Sequence, residues 1–131
     1  MQLFTKTQNE LKNLGAAITT QEIMQQPGLW EEALVNYQDK KNAIDSFLQQ
    51  IKKETSSKIR VVFTGAGTSA YVGDTVLPYL NNAGDTDSFI FESIPTTDLV
   101  SSPKDYLHEN DWTVLVSFAR SGNSPESVAA V

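Results

Sequence analysis

Hydroxyl-bearing side chains occur in two short polar segments, each of which separates an apolar run from a helix-like stretch. The first loop, residues 65–70 (GAGTSA), follows the apolar run at residues 59–64. The second loop, residues 120–124 (RSGNS), follows the apolar run at residues 112–118. Hydroxyl groups and backbone N–H groups at the start of a helix bind phosphate well, because they donate hydrogen bonds and the helix dipole favours negative charge. The two loops therefore predict a site for a phosphorylated small molecule.

The first loop contains two glycines followed by two hydroxyl side chains. Gly67 is expected to bring the backbone close to a ligand, because a residue without Cβ permits tight turns and close approach. Thr68 and Ser69 follow at the start of the next helix, where they are candidate phosphate ligands. The simpler alternative is that one of these hydroxyls only caps the helix, since Ser and Thr are common N-cap residues.

The first loop also fits the dinucleotide-binding pattern G-x-G-x-x-G/A. Glu92 lies roughly 20 residues further on, where such domains carry an acid that binds the ribose. A long helical stretch before the strand and the hydroxyl pair within the pattern count against this alternative. The first loop alone does not exclude it.

The second loop adds the candidates Ser121, Gly122, Asn123 and Ser124. Loops that follow parallel strands open at the carboxyl edge of the sheet, where ligands of α/β proteins bind. A sugar-phosphate site uses both loops and a dinucleotide site only the first, so the pair favours a sugar phosphate. Arg120 has two open roles, because its guanidinium either contacts the phosphate or forms an ion pair. Two unrelated capped turns are the structural alternative.

A sheet must bring these loops together, and residues 58–131 alternate strand-like with helix-like segments. Short β-branched runs predict strands at residues 59–64, 88–91 and 112–118. Helices are predicted at residues 68–82, around residues 104–109 and from Pro125 onward. The alternation predicts an α/β fold with the first half of a doubly wound parallel sheet. Three strands are few for such a sheet, so we expect the chain to be part of a longer protein.

Before the sheet, residues 1–57 are predicted to be a separate helical segment. Thr19 and Glu22 have the form of a capping box, which predicts a short helix that Pro27 ends. Apolar residues at three- and four-residue spacing then predict a longer helix with one apolar face. Two lysines at residues 40–41 interrupt that face and predict a bend or an exposed segment.

The composition excludes several other classes of protein. The 131 residues carry a net charge of −6, which argues against a nucleic-acid partner because clustered Lys and Arg bind phosphate backbones. The absence of cysteine excludes a disulfide framework, a thiolate zinc site and a cysteine nucleophile. The apolar runs are too short to span a membrane, and the acidic residues lack the spacing of metal ligands. We expect a cytoplasmic protein without a metal or a cofactor.

Both loops resemble the paired motifs of the sugar isomerase (SIS) domain, a flavodoxin-like phosphosugar-binding domain. More narrowly, residues 118–127 (FARSGNSPES) are similar to the tagatose-6-phosphate ketose/aldose isomerase family, which includes galactosamine-6-phosphate deaminases. Residues 20–23 (TQEI), Pro27, Trp30 and residues 65–74 are similar to that family too. The resemblance covers nearly the whole chain, but only roughly the N-terminal third of such a protein.

The resemblance implies that Ser69, Ser121 and Ser124 hold a phosphate, with help from Thr68. It also implies that the parent protein is a homo-oligomeric aldose/ketose isomerase or amino sugar phosphate deaminase. In that family the glutamate that acts as base lies well beyond the second loop, outside these residues. We therefore expect the chain to bind the substrate phosphate and not to catalyse by itself.

Two further titratable side chains, Glu126 and His108, are not expected to bind the phosphate. Glu126 follows the second loop and is expected to complement the helix dipole. His108 lies in a polar stretch and is expected to be a surface residue. The alternative function is a phosphosugar-sensing regulatory module, although the N-terminal helices lack the basic recognition face of a DNA-binding motif.

Overall fold

The computed structural model describes residues 2–131, which contain a three-stranded parallel sheet and several helices. The helices are α1 (Gln8–Asn13), α2 (Ala17–Glu54), α3 (Ala70–Ala83), α4 (Thr96–Ser101), α5 (Pro103–Tyr106) and α6 (Pro125–Ala129). The strands are β1 (Ile59–Gly65), β2 (Phe89–Ser93) and β3 (Thr113–Phe118). Single 3-10 turns cover Gln2–Thr5 and Gly67–Ser69. These elements confirm the predicted α/β fold.

The central strand β1 pairs with β2 on one side and β3 on the other, and all three strands run parallel. Alternate residues of a strand face opposite sides of the sheet. Other parts of the chain pack against β1 on both of these faces. On one face, a Cβ at Gly73 of α3 would lie 2.9 Å from Phe63 Cβ, so α3 approaches the sheet where only glycine fits. On the other face, Val62 is fully buried with Ile94 and Leu99. The core thus fixes β1 and the loop that leaves it.

Helix α2 runs without interruption for 38 residues, with Pro27 inside it. The predictions that a helix starts at Thr19 and ends at Pro27 are therefore wrong. At residues 40–41 the helix continues and both lysines are exposed, which agrees with the second of the two alternatives predicted there. Continuing an existing helix adds one hydrogen bond per residue, whereas a new start fixes several residues for a single bond. The helix therefore passes Pro27 despite the loss of one backbone donor.

A capping box does occur near the N-terminus, but at the start of α1. The Thr7 side chain accepts a hydrogen bond from the Glu10 backbone N–H, and Glu10 Oε2 accepts one from the Thr7 backbone N–H at 2.8 Å. That backbone hydrogen bond is the main cause that lowers the pKa of Glu10. Thr19 and Glu22, which have the same pattern, do not form a capping box, because both lie inside α2.

The described residues divide into two compact units, one that ends at Leu48 and one at Gln49–Val131. In the first unit, only Leu11 and Thr20 are buried among the described residues. Large apolar side chains on α2 are exposed, including Trp30 at 66%. No helix within residues 2–131 is long and apolar enough to cross a membrane. The candidate site described below lies wholly within the second unit.

Candidate phosphate-binding cleft

A cleft of about 720 Å³ lies at the carboxyl edge of the sheet. Both predicted loops line it, because β1 and β3 are neighbours and their carboxyl ends meet at that edge. The stacked rings of Phe63 and Phe118, with centroids 6.2 Å apart, tie the end of β3 to β1. The lining residues are Ala66, Gly67, Thr68, Ser69, Val72, Thr97, Phe118, Ala119, Arg120, Ser121, Ser124, Glu126 and Ser127.

The first loop is shaped by close backbone packing. A Cβ on Gly65 would lie 2.5 Å from the Ser69 carbonyl carbon and 2.8 Å from the Ala70 nitrogen, so the turn closes only on a glycine. Gly67 has a φ of +57°, in the left-handed region, and a Cβ there would meet nothing within 4 Å. The loop is therefore tight on the side of the protein and open on the other side.

The hydroxyl groups of the first loop are not used as helix caps. Ser69 precedes α3 without a side-chain capping hydrogen bond, and neither Thr68 nor Ser69 makes a side-chain hydrogen bond within residues 2–131. The alternative that one of them serves only as an N-cap thus finds no support in the geometry. Both hydroxyls remain able to donate a hydrogen bond to a ligand in the cleft.

The second loop is organised by its own hydroxyl groups. Ser124 caps α6: its Oγ accepts a hydrogen bond from the Ser127 backbone N–H at 3.2 Å and lies 2.8 Å from Ser127 Oγ. Ser121 Oγ accepts a longer hydrogen bond of 3.4 Å from the Asn123 backbone N–H. Gly122 adopts a φ of +68°. A ligand in the cleft would share these hydroxyls with the loop.

Most of the predicted site residues meet in the cleft. Gly67, Thr68, Ser69, Arg120, Ser121 and Ser124 all line it. Gly122 and Asn123 do not line it, and their place in the structure is to form the turn that presents the serines. Arg120 lines the cleft and takes part in none of the ion pairs within residues 2–131, so of its two open roles contact with a ligand remains.

Several lining residues had not been predicted. Thr97, at the start of α4, brings a third strand-to-helix junction into the cleft, and Ser127 pairs with Ser124. Val72, Phe118 and Ala119 supply apolar surface. The available signal for Thr97 was its position after the second predicted strand, but no glycine marks that junction. Glu126 also lines the cleft, which its predicted role at the helix start did not include.

The acid that a dinucleotide site would need is occupied elsewhere. Arg60 Nε donates a hydrogen bond of 2.6 Å to Glu92 Oε2, and Arg60 Nη1 donates one of 2.7 Å to the Tyr106 carbonyl oxygen. The hydrogen bond to Glu92 is the main cause that raises the pKa of Arg60, and Asp111 adds to it. Glu92 does not line the cleft. The dinucleotide alternative therefore lacks its ribose-binding acid.

The remaining titratable candidates lie away from the cleft. His108 is exposed in the segment between α5 and β3 and does not line the cleft. Within residues 2–131, no three His, Asp or Glu side chains are grouped so that they could hold a metal ion. The chemistry of the cleft is thus that of hydroxyl groups, one guanidinium and one carboxylate.

Fold and cleft together define an α/β chain with a hydroxyl-lined cleft at the carboxyl edge of a parallel sheet. D-galactosamine-6-phosphate deaminase AgaS of Escherichia coli is 43% identical over 113 residues, which are 86% of this chain and 28% of that protein. The AgaS protein of Shewanella sp. is 41% identical over 122 residues, 93% of this chain and 31% of that protein. No protein-family model matches the chain.

Solved structures give the same result. A tagatose-6-phosphate ketose/aldose isomerase structure from Clostridium novyi NT superposes with a TM-score of 0.85 and 41% identity, over 97% of this chain and 31% of that one. The corresponding Escherichia coli structure gives 0.73 and 42%, over 86% and 29%. The chain is therefore a homologue of the AgaS and tagatose-6-phosphate ketose/aldose isomerase proteins, and it spans less than a third of their length.

Proposed function

We propose that the chain binds the phosphate group of an amino sugar or ketohexose 6-phosphate. The parent protein would be an aldose/ketose isomerase or an amino sugar phosphate deaminase. One observation carries the proposal: two loops that are about 50 residues apart in sequence line a single cleft with hydroxyl groups and helix starts. The names of the homologous proteins, which act on galactosamine 6-phosphate or tagatose 6-phosphate, support the class of substrate.

The phosphate would lie between the first and second loops. Ser69 and Thr68 offer hydroxyl groups from one side, and Ser121 and Ser124 offer them from the other. Arg120 adds the only positive side chain among the lining residues. Hydrogen bonds to a charged group are stronger than neutral ones, so these hydroxyl groups and the guanidinium would bind a doubly charged phosphate well.

The cleft is large enough for the sugar as well. Its volume of about 720 Å³ lies within the range of roughly 300–1,000 Å³ that is usual for small organic ligands. Phe118 and Val72 provide apolar surface for the carbon-bound hydrogens of a sugar. A phosphate group alone would fill only a small part of this space.

The cleft lacks an evident base for the chemical step. Moving a proton between C1 and C2 of a sugar needs a base within hydrogen-bond reach of the carbon. Glu126 is the only carboxylate among the lining residues, and it lies two residues after Ser124. It is thus beside the proposed position of the phosphate, at the opposite end of a sugar 6-phosphate from C1 and C2. We therefore propose that the chain by itself binds the substrate and does not turn it over.

Calorimetric titration of the chain tests this proposal. The ligands are galactosamine 6-phosphate, tagatose 6-phosphate, the two unphosphorylated sugars and NAD, and the variants are Ser69→Ala and Ser121→Ala. We expect binding of the phosphorylated sugars only, and a loss of roughly 10- to 100-fold in affinity for each variant. Ser56→Ala, an exposed serine outside the cleft, is the matched control and should bind like the unchanged chain.

Binding of NAD that is unchanged in Ser121→Ala would contradict the proposal and favour a dinucleotide site. Turnover of either sugar phosphate by the isolated chain would contradict the assignment of catalysis to residues outside it.

A further inference from the structure

The cleft has a third wall that the two phosphate-binding loops do not explain. Thr97 is an exposed residue in the first turn of α4, and it is one of the residues that line the cleft. Helix α4 follows β2, so this wall comes from the strand on the other side of β1 from the second loop. The cleft therefore extends across the ends of all three strands.

Helix α4 reaches the cleft from the end of β2 and packs against α6, the helix that follows the second loop. A phosphate held between the first and second loops would be contacted by those two loops. Thr97 belongs to neither loop, so this wall would contact the part of a longer ligand that extends beyond the phosphate.

The position of Thr97 is fixed by its buried neighbour. The hydroxyl groups of Thr64, near the end of β1, and Thr96, at the start of α4, lie 3.2 Å apart and are exposed by only 1% and 0%. The Ile94 backbone N–H also donates a hydrogen bond of 2.9 Å to the Phe63 carbonyl oxygen. The start of α4 is thus bound to the strand that carries the first loop.

The Thr97 hydroxyl is still available to a ligand. Its one side-chain hydrogen bond within residues 2–131 runs to Asp98 Oδ1 at 3.4 Å, close to the limit for such a bond. Threonine both donates and accepts, as a sugar hydroxyl does, whereas it has no charge to attract a phosphate.

We propose that Thr97 binds a hydroxyl group of the sugar and so makes the site select polyhydroxylated phosphates over inorganic phosphate. This inference rests on the proposed function, because it places the sugar relative to a phosphate held by the two loops. Thr97 is then a specificity-determining residue that contributes to the sugar and not to the phosphate.

A comparison of the affinities for two ligands tests the inference. The affinities of galactosamine 6-phosphate and of inorganic phosphate are measured by calorimetry for the unchanged chain, Thr97→Val, Thr97→Ser and Ser69→Ala. Thr97→Val should weaken the sugar phosphate roughly three- to tenfold and leave inorganic phosphate unchanged, because it removes one neutral hydrogen bond. Thr97→Ser should retain the affinity. Thr86→Val, an exposed threonine outside the cleft, is the matched control.

The outcomes distinguish the proposed role of Thr97 from the proposed phosphate site. If Thr97→Val binds the sugar phosphate as well as the unchanged chain while Ser69→Ala loses it, Thr97 has no such role and the phosphate site stands. If Thr97→Val weakens both ligands equally, Thr97 supports the phosphate site and does not select the sugar. If the unchanged chain binds neither ligand, the proposed function fails, and this inference fails with it.

Discussion

The first and second loops present similar residues to the same cleft, but they are built in different ways. The first loop is held by its backbone: Gly65 packs against the peptide of Ser69, and the hydroxyls of Thr68 and Ser69 make no hydrogen bond within residues 2–131. The second loop is held by its hydroxyls, since Ser124 caps the helix that follows. In the proposed site the first loop is therefore preorganised, whereas the hydroxyls of the second loop would serve both the loop and the ligand.

The difference follows from where each loop is attached. The first loop leaves the central strand and enters α3, a helix of 14 residues that packs on β1 and β2. The second leaves a strand that has a partner on one side only within residues 2–131, and it enters α6, which has five residues. A short helix gains little from packing, so its cap matters more to its stability.

The largest effect is expected from Gly65→Ala. The new methyl group would overlap the Ser69 backbone, which lies 2.5 Å from the Cβ position, so the variant should lose about 3 kcal/mol in the free energy of unfolding. Urea denaturation measures this loss. Gly122→Ala is the counterpart in the second loop. Its Cβ position is empty, and only the positive φ of +68° costs it about 1 kcal/mol. Equal losses would contradict the contrast between a packed and an open loop.

A smaller effect is expected from the buried hydroxyl pair beneath the first loop. Thr64→Val leaves the Thr96 hydroxyl buried without a partner, which should lower the free energy of unfolding by about 2 kcal/mol. The double variant Thr64→Val, Thr96→Val removes both polar groups and should be more stable than either single variant. Chemical denaturation of all three gives the coupling. Additive losses would show that the two hydroxyls do not depend on each other.

The serines should separate stability from binding. Ser124→Ala removes the cap of α6 and should lower the free energy of unfolding by about 1 kcal/mol, in addition to weakening the ligand. Ser69→Ala removes no hydrogen bond within residues 2–131 and should change stability by less than about 0.5 kcal/mol while weakening the ligand. Denaturation and calorimetry on the same samples test this. A loss of stability in Ser69→Ala as large as that in Ser124→Ala would remove the distinction.

The smallest effect concerns an ion pair that lies away from both loops. Lys52, whose ammonium lies over the Phe89 ring, donates a hydrogen bond to Asp85 and, with the Ser88 hydrogen bonds, lowers the pKa of Asp85 to about 2. The stabilisation is thus complete above the ordinary aspartate pKa and is lost as the pH falls toward about 2. Lys52→Met should raise the pKa in an NMR titration and leave ligand affinity unchanged. A change in affinity would show that the cleft depends on this distant pair.

The sequence predicted the parts of the fold that depend on local pattern. The β-branched runs located β1 and β3 closely, and glycine followed by hydroxyl residues located both loops. Three features of the structure could not be predicted from local sequence pattern. Pro27 lies inside a continuous helix because the hydrogen bonds on either side outweigh the missing donor. Glu92 is engaged by Arg60 only through the pairing of β1 with β2, and Thr97 reaches the cleft only because β2 lies next to β1.

NMR titration of the ¹⁵N-labelled chain with galactosamine 6-phosphate tests most directly whether both loops hold one phosphate. We expect the backbone amide signals of residues 67–69 and 121–124 to shift together and to saturate with a single dissociation constant, which the unphosphorylated sugar does not reproduce. Shifts confined to residues 65–70, or a response in the two loops with different dissociation constants, would contradict a shared phosphate site.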